Sequence, residues 1–241
     1  MEEQDKKAIL MNTLCDTSVM RLLQFTDSAC PVGAFAFSCG LESAAACGIV
    51  HDAVTLGEYV RAVAMQSAFC DAVAALHAHR ATVADSYGGV MDADRALMMA
   101  KLNDEGRLML MRMGRKLIEL GSTLIKSPLL NAFLSDIRSG EAFGSYPVAQ
   151  GVMFAVLGIK EPEMFASHQY GVVNMVLGAA LRCVKVSHVD TQKILFELMG
   201  EVPELYGEIK DFTLDEMNSF CPEVDILVSI HEKGRQRMFM S

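Results

Sequence analysis

Tryptophan is absent, and none of the seven cysteines stands in a Cys-x-x-Cys pair. An odd number of scattered thiols argues against a disulfide framework and suits a reducing cytoplasm. No Gly-x-Gly-x-x-Gly or Gly-x-x-x-x-Gly-Lys-Ser/Thr run occurs, so no known device of that kind cradles a nucleotide phosphate. His-Glu-x-x-His is missing too. The one close histidine pair, His77 and His79, lies two apart and faces two sides of a helix, which makes a poor chelate. Positive charge is short: a net charge of −9 leaves little for displacing counterions from nucleic acid. The charged start, Met1 to Lys7, is not followed by the apolar core of a secretion signal. Two uncharged runs, 142–159 and 164–181, just reach membrane-spanning length. Their glycines and amides, with Tyr146-Pro147, His168 and Asn174, fit buried helices better than a bilayer.

Apolar residues make up 51% of the chain, so either the core is large or partners cover much apolar surface. Seventeen methionines suit irregular gaps and adaptable surfaces. The length fits one large domain, with two as the alternative. Strand-type punctuation is sparse, and apolar spacing is helical. Helices are expected near 17–28, 41–47, 55–85, 92–103, 105–126, 128–138, 146–157, 161–184, 191–200 and after Cys221-Pro222. Thr55-Leu56-Gly57-Glu58 and Thr213-Leu214-Asp215-Glu216 read as capping boxes. Ser127-Pro128 pairs a cap with proline at the first helical position, Gly88-Gly89 reads as a stop, and Asp190 as a cap. The fold class is therefore all-α: a single globular bundle of about ten helices with no significant sheet. It spans 1–241, with tails at about 1–16 and 233–241 that a partner would order. Arg107, Arg112, Arg115 and Lys116 share the outer face of the 105–126 helix, either as a solvated face or toward an acidic partner.

Three places could carry function. In Cys30 to Glu42, Pro31 to Gly33 form a sharp turn. Phe35 and Phe37 follow at alternate positions, then Ser38, Gly40 and Glu42. On residue types alone this is either a core-plugging loop or a site. Seven cysteines and six histidines leave a Cys–His nucleophile conceivable, without any local signature of one. Third, the tail sets Lys233, Arg235 and Arg237 beside Met238-Phe239-Met240. That mixture suits docking in a partner's groove.

With Leu22-Leu23-Gln24-Phe25 before it, the stretch around Pro31 resembles the N-terminal signature of the urease accessory protein UreF family. Pro31, Gly33, Phe35, Phe37, Ser38, Gly40, Leu41 and Glu42 match; Ala34, Ala36 and Cys39 depart. Three further blocks resemble the family in the same order. They are Tyr146-Pro147-Val148-Ala149-Gln150-Gly151, then Asn174 to Arg182 with Gln192, then His231-Glu232 with Arg237 to Ser241. The resemblance implies an all-helical, non-enzymatic, cytoplasmic homodimer that takes part in urease maturation by nickel insertion. Its implied partners are a UreD-type protein (UreH in some organisms), a UreG-type GTPase and the urease apoprotein. No membrane or nucleic acid is involved, no cofactor is tightly bound, and nickel transits the complex. Pro31 and Gly33 would shape the loop, and Phe35 and Phe37 would pack it or meet a partner. Gly40 belongs to the same block, and Ser38 and Glu42 would make polar contacts with the GTPase. Arg235, Arg237 and Phe239 would dock the tail. Pro147, Gly151, Asn174, Arg182 and Gln192 would be structural. A helical enzyme with a Cys/His centre and a direct nickel carrier remain the alternatives.

Overall fold

Side-chain caps write several of the helix starts. Ser127 accepts the Leu130 N–H ahead of Pro128, and Asn103 accepts the Gly106 N–H. The computed structural model describes residues 17–34, 37–218, 221–232 and 239, with Glu232 described in backbone only. In chain order the helices are α1 (Thr17–Thr26), α2 (Leu41–Ala46), α3 (Ala53–Ser67), α4 (Val73–Val83), α5 (Tyr87–Ala100) and α6 (Asp104–Leu124). They continue with α7 (Pro128–Ser139), α8 (Tyr146–Val156), α9 (Glu161–Cys183), α10 (His188–Ile209) and α11 (Pro222–Glu232). No strand occurs among the described residues, so the chain is a single all-helical domain. No helix there is long and apolar enough to cross a membrane.

Two apolar cores share one rod. A π turn, Ala68–Ala72, joins α3 to α4, and the extra residue re-aims the side chains it carries. In α4, Val73, Ala74, Ala75, Leu76 and Ala78 are all buried, as expected of a helix that is apolar nearly all round. Around it α5, α6, α7 and α8 build the larger core, with Phe133, Phe154 and Leu117 among its fully buried side chains. The second core gathers Leu41, Leu56, Val60, Val176, Leu177, Leu198 and Leu227 from α2, α3, α9, α10 and α11.

Gly151 explains why α4 and α8 can touch. A Cβ there would lie 2.3 Å from the Ala75 carbonyl oxygen. The start of α8 is set by Asp94, a buried carboxylate on α5. It accepts the backbone N–H groups of Phe143, Gly144 and Ser145 at 2.8, 2.9 and 2.9 Å and the Ser145 hydroxyl at 2.6 Å.

Some boundaries differ from the sequence expectation. Asp52, not Thr55, is the cap of α3; Thr55 is its reciprocal partner in the capping box. Gly88 and Gly89 lie inside the first turn of α5, because Ser86 caps it by accepting the Gly89 N–H. Ser187 caps α10 with Asp190 as its partner. The helix then runs through Pro203 to Ile209, with Pro203 on an exposed side. Thr213 and Glu216 do form a capping box, on a 3-10 turn.

Candidate functional site

The turn after α1 leads into the site. Val32 N–H closes a tight turn on the Cys30 carbonyl at 2.7 Å, Pro31 is exposed, and Gly33 takes φ 86° beneath the Lys116 ammonium. Phe35 lies outside the described residues. Phe37 is buried in the larger core, and Ser38 is fully buried with no hydrogen-bond partner for its hydroxyl. Cys39 adopts a left-handed φ of 51°, unusual for a side chain. Tyr59 holds it by donating its hydroxyl to the Cys39 carbonyl at 2.7 Å. Burial, with Asp71 nearby, pushes the Cys39 thiol up to about 12. Gly40 follows at φ 79°, pressed so closely that a Cβ would meet the Tyr59 hydroxyl at 2.9 Å and the Val228 nitrogen at 3.1 Å.

Glu42, in the first turn of α2, is where the loop meets the chain's end. His231 Nε2 lies 2.9 Å from the Glu42 carboxylate, and His231 Nδ1 lies 2.9 Å from both oxygens of Glu105. Each ring nitrogen thus lies within hydrogen-bonding distance of a carboxylate oxygen. Three elements distant in sequence (α2, α6 and α11) are tied through one buried imidazole.

Behind this junction lies a cavity of about 400 Å³ between the two cores. Its polar lining includes Asp71, Lys101, Asn103, Glu105, His168 and Asp225. Lys101 and Asp71 pair at 2.7 Å. Burial opposes the charged ammonium, but Asp71 outweighs it and holds the Lys101 pKa above its ordinary value. The second Asp71 oxygen is buried without a partner. Asp225 of α11 accepts from Gln66 at 2.7 Å and from Asn103 at 2.9 Å. Burial lowers His168 to about 4, so its ring is neutral near pH 7. It lies between the Gln150 amide oxygen at 2.8 Å and the Ser67 hydroxyl at 3.0 Å. Its Nδ1–H therefore donates to Gln150 and its Nε2 accepts from Ser67.

Other expected residues converge on the same place. Phe37, Pro147, Asn174 and Arg182 line the cavity. The Arg182 guanidinium sits 4.2 Å from the centre of the Phe239 ring, a cation–π contact that seats the tail's phenylalanine on α9. Gly151 is away from the site, and Gln192 is exposed on α10. Arg235 and Arg237 lie outside the described residues. No group of three or more His, Cys, Asp or Glu among the described residues is arranged to hold a metal ion. Sequence reasoning passed over Asp71, Lys101, Glu105, His168 and Asp225. One signal was available: Asp71 is the only formally charged residue between Arg61 and Arg80, inside an apolar helical run.

A family model described as UreF matches residues 50–199. The chain belongs to the UreF family. Urease accessory protein UreF 2 of Brucella canis is 47% identical over 223 residues, covering 92% of each chain. Urease accessory protein UreF of Yersinia pseudotuberculosis serotype IB is 43% identical over 223 residues, 92% of this chain and 98% of its own. In this UreF-family chain, the matched span 50–199 contains Asp71, Lys101 and His168 of the cavity. Glu42 and His231, joined to the cavity's Glu105 through the His231 ring, flank that span.

Proposed function

We propose that this chain is a cytoplasmic urease accessory protein that acts as a scaffold and regulator in nickel insertion, without catalysis of its own. It binds a UreD/UreH-type protein, recruits and regulates a UreG-type GTPase on apo-urease, and works as a homodimer. The observation that carries this reading is the junction of the family signature with the chain's end. Glu42 of the signature and His231 of α11 are in contact, and His231 also meets Glu105, which lines the polar cavity. A protein with partner-binding segments at both ends gains from having them meet.

Nickel enters this reading as cargo. The Asp71, Glu105 and Asp225 carboxylates and the neutral His168 imidazole are oxygen and nitrogen donors of types that bind divalent transition ions. The same reading assigns the roles. Pro31 and Gly33 present the turn, and Phe37, Ser38 and Gly40 form its packed base. Glu42 orients α11, and Phe239 with Arg235 and Arg237 docks the tail. In the described conformation Ser38 points inward, so its part is to shape the loop and not to touch the GTPase directly.

The test is co-purification of the full chain with a UreD-type protein and a UreG-type GTPase, with nucleotide, against a chain lacking 233–241 and against Arg237→Ala. The full chain should yield the complex and both variants should lose most of it. Loss of a buried, charge-assisted arginine contact costs about 2–4 kcal/mol of binding, roughly 30-fold or more in affinity. No complex with the full chain would refute the scaffold reading, and unchanged yield with Arg237→Ala would remove the tail's assigned role. Light scattering of the purified chain should report a dimer; a monodisperse monomer at micromolar concentration would contradict the homodimer.

A further inference from the structure

A second, shallower recess lies on the outside of the molecule, between α1, the turn at Pro31 and α6. It measures about 470 Å³, and Met20, Leu23, Pro31 and Leu120 give it an apolar floor. Met20 and Leu23 are 54% and 59% exposed, three apart on one short helix, so they form a ridge that nothing in α1's own packing covers.

A cationic stripe of α6 leads up to the recess, with Lys116 over Gly33 of the turn. Arg112, Lys116 and Leu120 follow at four-residue spacing along one stripe of α6, so two positive charges lead directly into the apolar floor. Neither Arg112 nor Lys116 makes an ion pair among the described residues. Some exposed cations elsewhere are paired: Arg61 with Glu197 and Glu201, Arg80 with Glu161, and Arg115 and Arg138 with Glu119. In a chain of net charge −9, Arg112 and Lys116 put two unneutralised cations on the approach to this apolar floor. The one carboxylate at the recess, Asp27, already accepts the Ala29 N–H at 2.6 Å. An apolar centre approached by a charged stripe has the anatomy of a docking surface.

We propose that this recess receives an acidic amphipathic helix of a partner protein. Its apolar side chains, three and four apart, enter between α1 and α6, and its carboxylates meet Arg112 and Lys116. A concave recess walled by helices fits a helix better than a flat lipid surface does. Because Pro31 of the signature turn forms part of the floor, the proposal rests on the reading that this turn meets a partner; it does not depend on what takes the tail.

The experiment uses the full chain and a fluorescein-labelled synthetic helix of about five turns, with leucines three and four apart and glutamates on the flanks. A matched peptide carries lysine in place of each glutamate. Anisotropy titrations are run at about 50 mM and about 500 mM NaCl, which shortens the screening length several-fold. The glutamate peptide should bind at low salt. Its Kd should rise about tenfold or more with Arg112→Glu/Lys116→Glu, and similarly at high salt. Leu23→Ser should weaken binding at both salt levels, and the lysine peptide should not bind. Circular dichroism melts establish that the variants are folded. The proposal falls if the glutamate peptide does not bind, if the variants bind it equally, or if the lysine peptide binds as well. It falls too if binding appears only after residues 1–16 are removed, which would give the recess to the chain's own N-terminal segment. Cosedimentation with phosphatidylserine vesicles through Arg112 and Lys116, without peptide binding, would make the surface a membrane contact and overturn it.

Discussion

Gly151→Ala sets two well-known effects against each other in one methyl group. An alanine inside a helix is favoured over glycine by about 1 kcal/mol. At Gly151 the added Cβ would stand 2.3 Å from the Ala75 carbonyl oxygen, 3.1 Å from the His79 nitrogen and 3.2 Å from the Ala75 carbonyl carbon. All three are backbone atoms of α4, so no side chain can swing aside. Relief requires α4 and α8 to part by about 1 Å, through the middle of the larger core. Overpacking of a tight core costs about 1–3 kcal/mol or more, and this site belongs at the high end. The net expectation is a loss of about 2 kcal/mol, or a Tm lower by about 4–8 °C for a chain of this size. Because tryptophan is absent, urea and thermal melts should be followed by far-ultraviolet circular dichroism. Gly200→Ala is the internal control, since nothing lies within 4 Å of a Cβ there. That variant should gain up to about 1 kcal/mol. If Gly151→Ala is as stable as Gly200→Ala, the close approach of α4 and α8 is not a real constraint and the account of Gly151 is wrong.

Asp94→Ala should strand three backbone N–H groups and one hydroxyl, costing at least about 3 kcal/mol; unchanged urea midpoints would contradict the anchoring of α8 by that carboxylate. His168 supplies a pH dependence. Its folded pKa of about 4 lies below the ordinary 6.5, so the unfolded chain takes up a proton the folded chain refuses as pH falls between those values. That uptake should remove up to about 3 kcal/mol of stability across the window. His168→Gln should flatten the fall in Tm between pH 6.5 and 4.5; an unchanged slope would show that the ring is not held neutral. At pH 8, Ellman's reagent should modify exposed Cys47 quickly, while Cys39 should react only on unfolding. Rapid labelling of Cys39, read by peptide mass, would show that its loop opens in solution.

Local signals made the helical class and several boundaries legible. Ser127-Pro128 and Glu161-Pro162 each start a helix where their chemistry says one should start. Gly88-Gly89 misled because two glycines look like a stop, whereas the deciding group was the Ser86 hydroxyl. Pro203 misled less directly: the sequence expectation ended α10 near Gly200, but a proline on an exposed side was accommodated by continuing the helix. At the site, Gly40, Glu42 and Phe239 were visible as motif positions. His231 was visible too, but their pairing was not, since His231 lies 189 residues from Glu42 and 126 from Glu105. Tyr59 is an ordinary apolar-face tyrosine until Cys39 is folded beneath it. The cavity was illegible for the same reason, being made where α3, α6, α9 and α11 face one another. The uncharged neighbourhood of Asp71 was its only local trace.

The contact between Glu42 and His231 also sets an order of events at the ribosome. Gly40 and Glu42 are synthesised well before the groups that cover and bond them, Leu227, Val228 and His231; Glu42 and His231 are 189 residues apart. Nascent chains gain their packing from the N-terminal side as they lengthen. The helices of the larger core can therefore be complete while the signature turn still lacks its cover. A message truncated before codon 227 would yield a largely helical product whose signature turn never reaches the packed form. In this way the signature turn is finished only after α11, far further along the chain, has been made.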